Sequence, residues 1–145
     1  MVHQFEFRIS EALSKKPNLA HNAPERHGFE GPFLHPDPDF VVSQVGDGHV
    51  LELNMHCIYR PMYILHTREF RPQDEDLDLE DFGAARAVMA TLGRRVPQMA
   101  IYNCGAEAGA SQGHKHMQVF ACPSPFPLFP EEAQSTEGQL YHIDH

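Results

Sequence analysis

NCGAEAGASQGHKHMQ, residues 103–118, is the stretch that decides the fold of this chain. Its second half alternates as a β-strand does, and side chains two positions apart on a strand share a face. A strand that begins at His114 therefore carries His114, His116 and Gln118 on one face. Lys115 points to the opposite face and is given no part in a site. Because buried polar groups are costly unless they are hydrogen-bonded, a polar row of this kind indicates a functional site.

The first half of the same stretch has the composition of a phosphate-binding loop. Gly105 and Gly109 permit a close backbone approach and positive φ angles, and Ser111 offers a hydroxyl. Successive backbone amides in such a loop form a concave anion site. A neutral imidazole can attack phosphorus and carry a nucleotidyl group covalently, provided that an acceptor holds its second nitrogen.

A metal site is the competing interpretation of the two histidines. An HxH pair on a strand is, by itself, more often structural or metal-binding than nucleophilic, and the combination with the glycine-rich loop makes the nucleophilic interpretation specific. With Cys104 or Cys122, the pair His114 and His116 matches no zinc spacing. We therefore expect no catalytic metal and no resident cofactor, although a divalent cation can accompany a polyphosphate substrate.

The segments around this stretch predict an α+β domain with an antiparallel sheet and one main helix. The predicted strands and helix are Phe40–Val45, His49–Asn54, Tyr59–Thr67, 74–95 (helix), Gln98–Cys104 and His114–Ala121. One helix face is predicted to be buried, on the helical spacing of Phe82, Ala85, Met89 and Leu92. We expect one domain over residues 1–145, with its core at about 30–125.

Residues 15–39 have loop composition, rich in proline, glycine, histidine and asparagine. We expect this segment to wrap over the core, with Phe29, Phe33 and Leu34 as anchors. Residues 3–14 alternate weakly, which permits a short strand or a helix, and the proline-rich stretch after Ala121 is expected to be irregular.

The charge balance excludes some classes of partner. The 145 residues carry a formal net charge of -9 and no long basic run, which argues against nucleic acid and anionic membranes. A small anionic ligand remains compatible, because a few backbone amides and side chains can bind phosphate locally. No signal peptide or membrane span is visible, and three distant cysteines favour reduced thiols, so we expect a cytoplasmic or nuclear location.

The stretch IYNCGAEAGASQGHKHMQVF, residues 101–120, resembles the active-site segment of the histidine-triad (HIT) superfamily. Its nearest likeness is the branch of fungal diadenosine tetraphosphate phosphorylases, also called ATP adenylyltransferases. The HxHxQ ending also resembles galactose-1-phosphate uridylyltransferases, whereas hydrolase branches usually end in a third histidine. GPFLHPDPDF, HVLELN, ILHTREF and the acidic helix start extend the resemblance over about residues 30–130.

The resemblance implies a HIT-like fold and a role for each member of the polar row. His116 is expected to be the nucleophile that forms a nucleotidyl-histidine, and His114 to orient or support it. Gln118, which stands where hydrolases carry histidine, is expected to hydrogen-bond the phosphoryl oxygens. Relatives often pair through the helix and an edge strand, so a homodimer is expected.

The resemblance also implies binding residues outside the polar row. Asn103, Gly109 and Ser111 are expected to line the phosphate loop. Asn54 occupies the strand end where relatives contact the ribose, and a plain turn residue is an equally good interpretation of it. The implied ligand is a nucleotide or a dinucleoside polyphosphate.

Several positions depart from the family pattern. Relatives carry Pro-x-His after the position of Asn54, where this chain has Arg60, Pro61 and Met62. Met55 replaces a frequent lysine, and Gly113 replaces a proline before the first histidine. The fungal enzymes are also about twice as long and carry a further C-terminal region.

These observations leave three hypotheses. The first is an enzyme that attacks the α-phosphate of a nucleotide or dinucleoside polyphosphate through His116, with phosphate or water as acceptor. The second is a diverged HIT protein that binds a nucleotide without turnover. The third is a HIT fold recruited to another small-molecule reaction, with His116 or His114 as general acid or base. The further histidines leave room for the third and are expected mostly at the surface: His27, His35, His49, His56 and His66.

Overall fold

Five strands, one α-helix and a short 3-10 helix (Pro24–His27) form the regular structure of the residues that the computed structural model describes, which are 16, 19–20, 23–28, 30–58 and 60–123. The elements are β1 (Val41–Val45), β2 (His49–Leu53), β3 (Met62–Thr67), α1 (Leu79–Leu92), β4 (Gln98–Ile101) and β5 (His116–Ala121). The strands make one antiparallel sheet in the order β1-β2-β3-β5-β4. The predicted α+β fold with an antiparallel sheet and one main helix is confirmed.

The two faces of the sheet have different characters. On one face, aliphatic side chains of the inner strands form a core with the buried side of α1: Leu51, Leu65, Ala84, Ala85, Val88, Met117 and Val119. The opposite face carries a polar row, because the register pairs His66 with His116 and pairs Ile64 with both Glu52 and Gln118. As predicted, His116 and Gln118 share a face that Lys115 does not.

The helix is shorter than predicted because Asp78 caps it. The Asp78 carboxylate accepts hydrogen bonds from the backbone amides of Glu80 and Asp81, at 2.8 and 2.9 Å. The Asp81 side chain in turn accepts from the Asp78 amide at 3.0 Å, which completes a capping box. The helix therefore begins at Leu79, and residues 74–78 lie outside it.

The predicted buried face of the helix was partly wrong. Phe82 is 57% exposed, whereas Asp81 is only 2% exposed. Asp81 is drawn inward by two partners: its Oδ1 lies 2.8 Å from His49 Nε2, and its Oδ2 accepts from Lys115 Nζ at 3.3 Å. Amphipathic spacing counts only apolar residues and so cannot anticipate a buried carboxylate.

Other boundaries differ at strand ends. β5 begins at His116 rather than His114, which makes only an isolated bridge with Pro72. β4 ends at Ile101. Phe33 is buried as expected and Leu34 is partly buried, while Phe29, Tyr59, residues 3–14 and the tail after residue 123 lie outside the described residues. Across the part that is described, no helix is long and apolar enough to cross a membrane.

The Asp81 contacts make a stability prediction. Asp81→Ala leaves the buried Lys115 ammonium, 2% exposed as a residue, without its nearest carboxylate. Breaking a buried pair by removing one partner costs about 3–5 kcal/mol, so the denaturant midpoint should fall sharply. Glu80→Ala, one residue away on the exposed side of the helix, is the matched control and should stay within about 0.5 kcal/mol. Equal unfolding free energies for the two variants would contradict the prediction.

Candidate active site

A cavity of about 390 Å³ lies between the polar face of the sheet and the N-terminal segment. Of the residues predicted for the site, the structure brings four to this cavity: Asn54, Ser111, His116 and Gln118. His114, Asn103 and Gly109 lie beside it rather than along its wall. Phe33 covers the histidines, since its ring stacks on His66 at 4.8 Å and meets the His116 ring at 5.2 Å.

The His116 ring has the geometry of a nucleophile. Its Nδ1 lies 2.8 Å from the carbonyl oxygen of His114, which can only accept, so Nδ1 carries the proton. Nε2 is then left with a free lone pair on a residue that lines the cavity. Burial lowers the pKa of His116 to about 4, opposed by the hydrogen bond to His114 and reinforced by the charge of Lys16. The ring is therefore neutral at pH 7.

His114 acts on His116 through its backbone. Its own ring Nε2 lies 3.1 Å from the carbonyl oxygen of Glu69 and 3.0 Å from Thr67 Oγ1. The ring packs edge-on against Phe70 at 5.4 Å, which keeps it beside the cavity. Burial lowers the pKa of His114 as well. This placement suits a positioning residue rather than a group that touches substrate.

Gln73 is a site residue that sequence reasoning missed. Its Oε1 accepts from the His116 amide at 2.6 Å, and its Nε2 donates to the carbonyls of His116 and Asn103 at 3.1 and 2.8 Å. Gln73 is 3% exposed, and it thereby ties the start of β5 to the start of the glycine-rich loop. A lone glutamine before an acidic stretch carries no sequence signal for such a clamp.

Asn103 and Gly109 shape the loop from within. The Asn103 side-chain amide donates to the carbonyl of Ala108, and Gly109 has φ +91°. A Cβ at Gly109 would lie 3.3 Å from Asn103 Nδ2, so the two residues are packed together. Their effect on a bound phosphate is indirect, whereas Ser111 and Gln112 reach the cavity wall.

Asn54 closes a turn at the end of β2. Its Oδ1 accepts from the His56 amide at 2.9 Å, and its Nδ2 lies 3.4 Å from Met62 Sδ. This geometry supports the turn interpretation, although Asn54 also lines the cavity. Met62, where relatives carry histidine, is 6% exposed and packs with Cys57 and Phe120 instead of facing the cavity.

Two histidines that were expected at the surface are buried. His66 is 1% exposed and His49 is 5% exposed, so the expectation was wrong for both. His66 lies directly across from His116, and burial lowers its pKa to about 4. The alternation of β3 could have indicated that His66 is buried, but only once the register between β3 and β5 is known. His27 and His35 are exposed, as expected.

A lysine side chain, Lys16, also lines the cavity, and the sequence analysis did not identify it. Lys16 is partly buried at its wall, and burial lowers the pKa of its ammonium. Its charge acts on His116, which places it near that ring. Lys15 and Lys16 are adjacent in a segment of loop composition, and no sequence pattern there distinguishes the one that reaches the cavity. In the described ranges, no group of three or more histidine, cysteine, aspartate or glutamate residues is arranged to hold a metal ion.

Arg26 ties the N-terminal segment to the glycine-rich loop. Its guanidinium donates to the carbonyls of Leu19, Ala20 and Ala110 at 3.0–3.2 Å. A Cβ at Gly113 would lie 2.2 Å from the Arg26 Cα atom. The Arg26 backbone takes the space that a side chain at position 113 would need, and this is a steric reason for glycine there instead of the proline that the resemblance implies.

The chain is similar in sequence to a known protein family and to a yeast enzyme. Residues 2–135 match the family model described as the Ap4A phosphorylase N-terminal domain. The chain is 32% identical over 133 residues to diadenosine 5',5'''-P1,P4-tetraphosphate phosphorylase 2 of Saccharomyces cerevisiae, covering 85% of this chain. It spans only 40% of that relative's length.

Solved structures of the yeast Ap4A phosphorylase Apa2 are similar to this one. One crystal structure of Apa2 has a TM-score of 0.65 and 31% identity, covering 79% of this chain and 38% of that chain. The complex with Ap4A has a TM-score of 0.64 and 27% identity, covering 79% and 41%. The expected likeness to the phosphorylase branch is confirmed.

The contact at Gly113 makes a second prediction. Gly113→Ala forces the Arg26 backbone or the loop to move, and overpacking of this kind typically costs about 1–3 kcal/mol of unfolding free energy. Gly83→Ala is the matched control, because a Cβ there meets nothing within 4 Å and alanine favours the helix. Chemical denaturation of both variants checks this. A Gly113→Ala protein as stable as Gly83→Ala would contradict it.

A third prediction concerns protonation. Histidine in an unfolded chain titrates near 6.5, and burial lowers the pKa of His66 and His116 to about 4. The unfolded state binds more protons between these values, so these rings make the unfolding free energy fall as pH drops from 6.5 toward 4.

NMR titration of the imidazole nitrogens should find both pKa values near 4 and His116 in its Nδ1-protonated tautomer. Phe33→Ala should admit water and raise both pKa values. An Nε2-protonated His116 would refute the nucleophile geometry.

Proposed function

Because the chain belongs to the family of Ap4A phosphorylase N-terminal domains, we propose that it transfers a nucleotidyl group through a covalent bond to His116. The donor is a nucleotide or a dinucleoside polyphosphate. The observation that carries the proposal is the His116 ring itself, which is neutral, held at Nδ1 by the His114 carbonyl, and turned with Nε2 free toward a cavity.

In the first step, Nε2 of His116 attacks the α-phosphorus. The N–P bond forms as the bond from phosphorus to the bridging oxygen breaks, and the remaining phosphate chain leaves with that electron pair. The ring becomes cationic, and its Nδ1–H bond to the His114 carbonyl stabilises that charge. Gln118 donates to the phosphoryl oxygens, and the Lys16 ammonium offsets their negative charge.

In the second step, an acceptor oxygen attacks the same phosphorus and the electrons of the N–P bond return to His116. Inorganic phosphate as acceptor releases a nucleoside diphosphate, and water releases a nucleoside monophosphate. We favour phosphate, because the yeast relative is named a phosphorylase of diadenosine tetraphosphate. Gln118, where hydrolases carry a histidine, agrees with this choice. A divalent cation accompanying the polyphosphate is compatible with the scheme.

A nucleotide binder without turnover is the second candidate. The observation in its favour is Met62, which buries an apolar side chain away from the cavity at the position of a family histidine. The homodimer and the cytoplasmic or nuclear location expected from the sequence stay predictions.

The fourth prediction tests the covalent step by intact-mass spectrometry. Wild type mixed with diadenosine tetraphosphate or ADP, without phosphate, should gain the mass of one adenylyl group. His116→Ala should gain none, because the nucleophile is absent. His114→Gln is the matched control: it keeps the backbone carbonyl that holds His116, so the adduct should still form, more slowly.

The acceptor is then added to the labelled protein. Rapid discharge by phosphate identifies a transferase, and discharge at the same rate in buffer alone identifies a hydrolase. No adduct and no turnover in a folded protein that binds the nucleotide would replace the enzyme with the binder.

A further inference from the structure

Glu52 places a carboxyl group in the wall of the cavity, on β2, which β3 separates from the strand of His116. Its residue is 8% exposed and lines the cavity wall. In the sheet, Glu52 pairs with Ile64, which pairs with Gln118. Since neighbouring strands lie about 4.8 Å apart, the backbone of Glu52 is about 10 Å from that of Gln118. The Glu52 carboxyl can therefore contact a part of the ligand other than a phosphate held at His116 and Gln118.

The Glu52 carboxyl has a histidine neighbour in the described part of the chain. Its nearest ionisable neighbour is His66, whose Nε2 lies 3.8 Å from Oε2, too far for a hydrogen bond. Because His66 Nδ1 bonds the Thr67 carbonyl at 2.9 Å, Nε2 is an unpartnered lone pair on a 1% exposed residue. Among the described residues, none donates a hydrogen bond to the Glu52 side chain. Desolvation by burial raises the pKa of Glu52 to about 7.

The surroundings of Glu52 suit a flat aromatic ligand with a polar edge. Leu19, Pro32 and Phe40 line the same cavity and offer apolar surface. Phosphate groups belong at the other end, because a carboxyl repels them while Lys16 and Gln118 attract them. Ligand sites of this kind are largely apolar, with a few placed polar groups that provide specificity.

We propose that Glu52 is a specificity-determining residue that accepts a hydrogen bond from the exocyclic amino group of the donor's nucleobase. The inference rests on the proposed function, because it presumes a nucleotide with its phosphate at His116. Either protonation state of the carboxyl supplies the accepting oxygen. Bases with an amino group, such as adenine, are thereby preferred over the same ring without one, since an unmet buried acceptor costs binding free energy.

The fifth prediction uses two ligands that differ only at this group. AMP and purine riboside monophosphate are identical except that the second has hydrogen in place of the amino group. By calorimetry, wild type should bind AMP about tenfold more tightly. Glu52→Leu should bring the ratio to about one, and Glu52→Gln should keep most of it, because its amide oxygen still accepts. Glu80→Leu, on the helix side of the sheet, should keep the wild-type ratio.

The ribose hydroxyls are the other groups of the nucleotide that could donate a hydrogen bond to Glu52. Ligands that lack one of these hydroxyls distinguish them from the amino group of the base. If Glu52→Leu abolishes discrimination against 2'-deoxy or 3'-deoxy AMP but leaves the amino discrimination unchanged, the assignment to the base is overturned. It is also overturned if wild type binds both purine ligands equally. Glu52→Met replaces Glu52→Leu should the latter not fold.

Failure of the inference is distinguishable from failure of the proposed function. If AMP binds and the His116 adduct forms while the amino discrimination is the same in wild type and Glu52→Leu, only the role of Glu52 is lost. If neither nucleotide binds and no adduct forms, the proposed function fails and the role of Glu52 fails with it.

Discussion

The buried ion pair of Lys115 and Asp81 sets the position of His116, the proposed nucleophile. Lys115 stands between the two histidines of the HxH motif, and strand alternation sends its side chain to the face opposite theirs. Its ammonium, anchored at Asp81 and at the Asp76 carbonyl 2.8 Å away, cannot leave the helix side without losing its partners. A register slip of one residue in β5 would put this charge in the cavity and His116 in the core.

Asp81 also links the helix to the site. Asp81 serves the capping box with Asp78 and also receives Lys115 and His49, so one side chain joins α1, β2 and the start of β5. Gln73 holds the backbone of His116 from the other side. The ring of His116 is thus fixed through its main chain and through its Nδ1, which leaves Nε2 as its reactive atom. Preorganisation of this kind reduces the cost of orienting the nucleophile.

Local periodicity was sufficient for part of this arrangement. The alternation of residues 114–118 correctly assigned His116 and Gln118 to one face and Lys115 to the other. Asp81, Gln73 and His66 were missed because their roles depend on pairing between segments far apart in sequence. His66 meets His116 only through the β3–β5 register, and Asp81 is buried only because Lys115 and His49 converge on it. Neither the pairing of His66 with His116 nor the burial of Asp81 can be predicted from the sequence of a single strand or helix.

The cavity has chemically unequal ends, and this constrains how an anionic ligand can enter. A chain with net charge -9 repels a polyphosphate at long range, but salt screens that repulsion beyond about 8 Å at physiological ionic strength. Within that distance Lys16 and Gln118, which line the cavity, attract the phosphates. Glu52 opposes any phosphate at the far end. Attraction at one end and repulsion at the other favour a single orientation, with phosphorus at His116, which is the orientation that the proposed in-line attack by Nε2 requires.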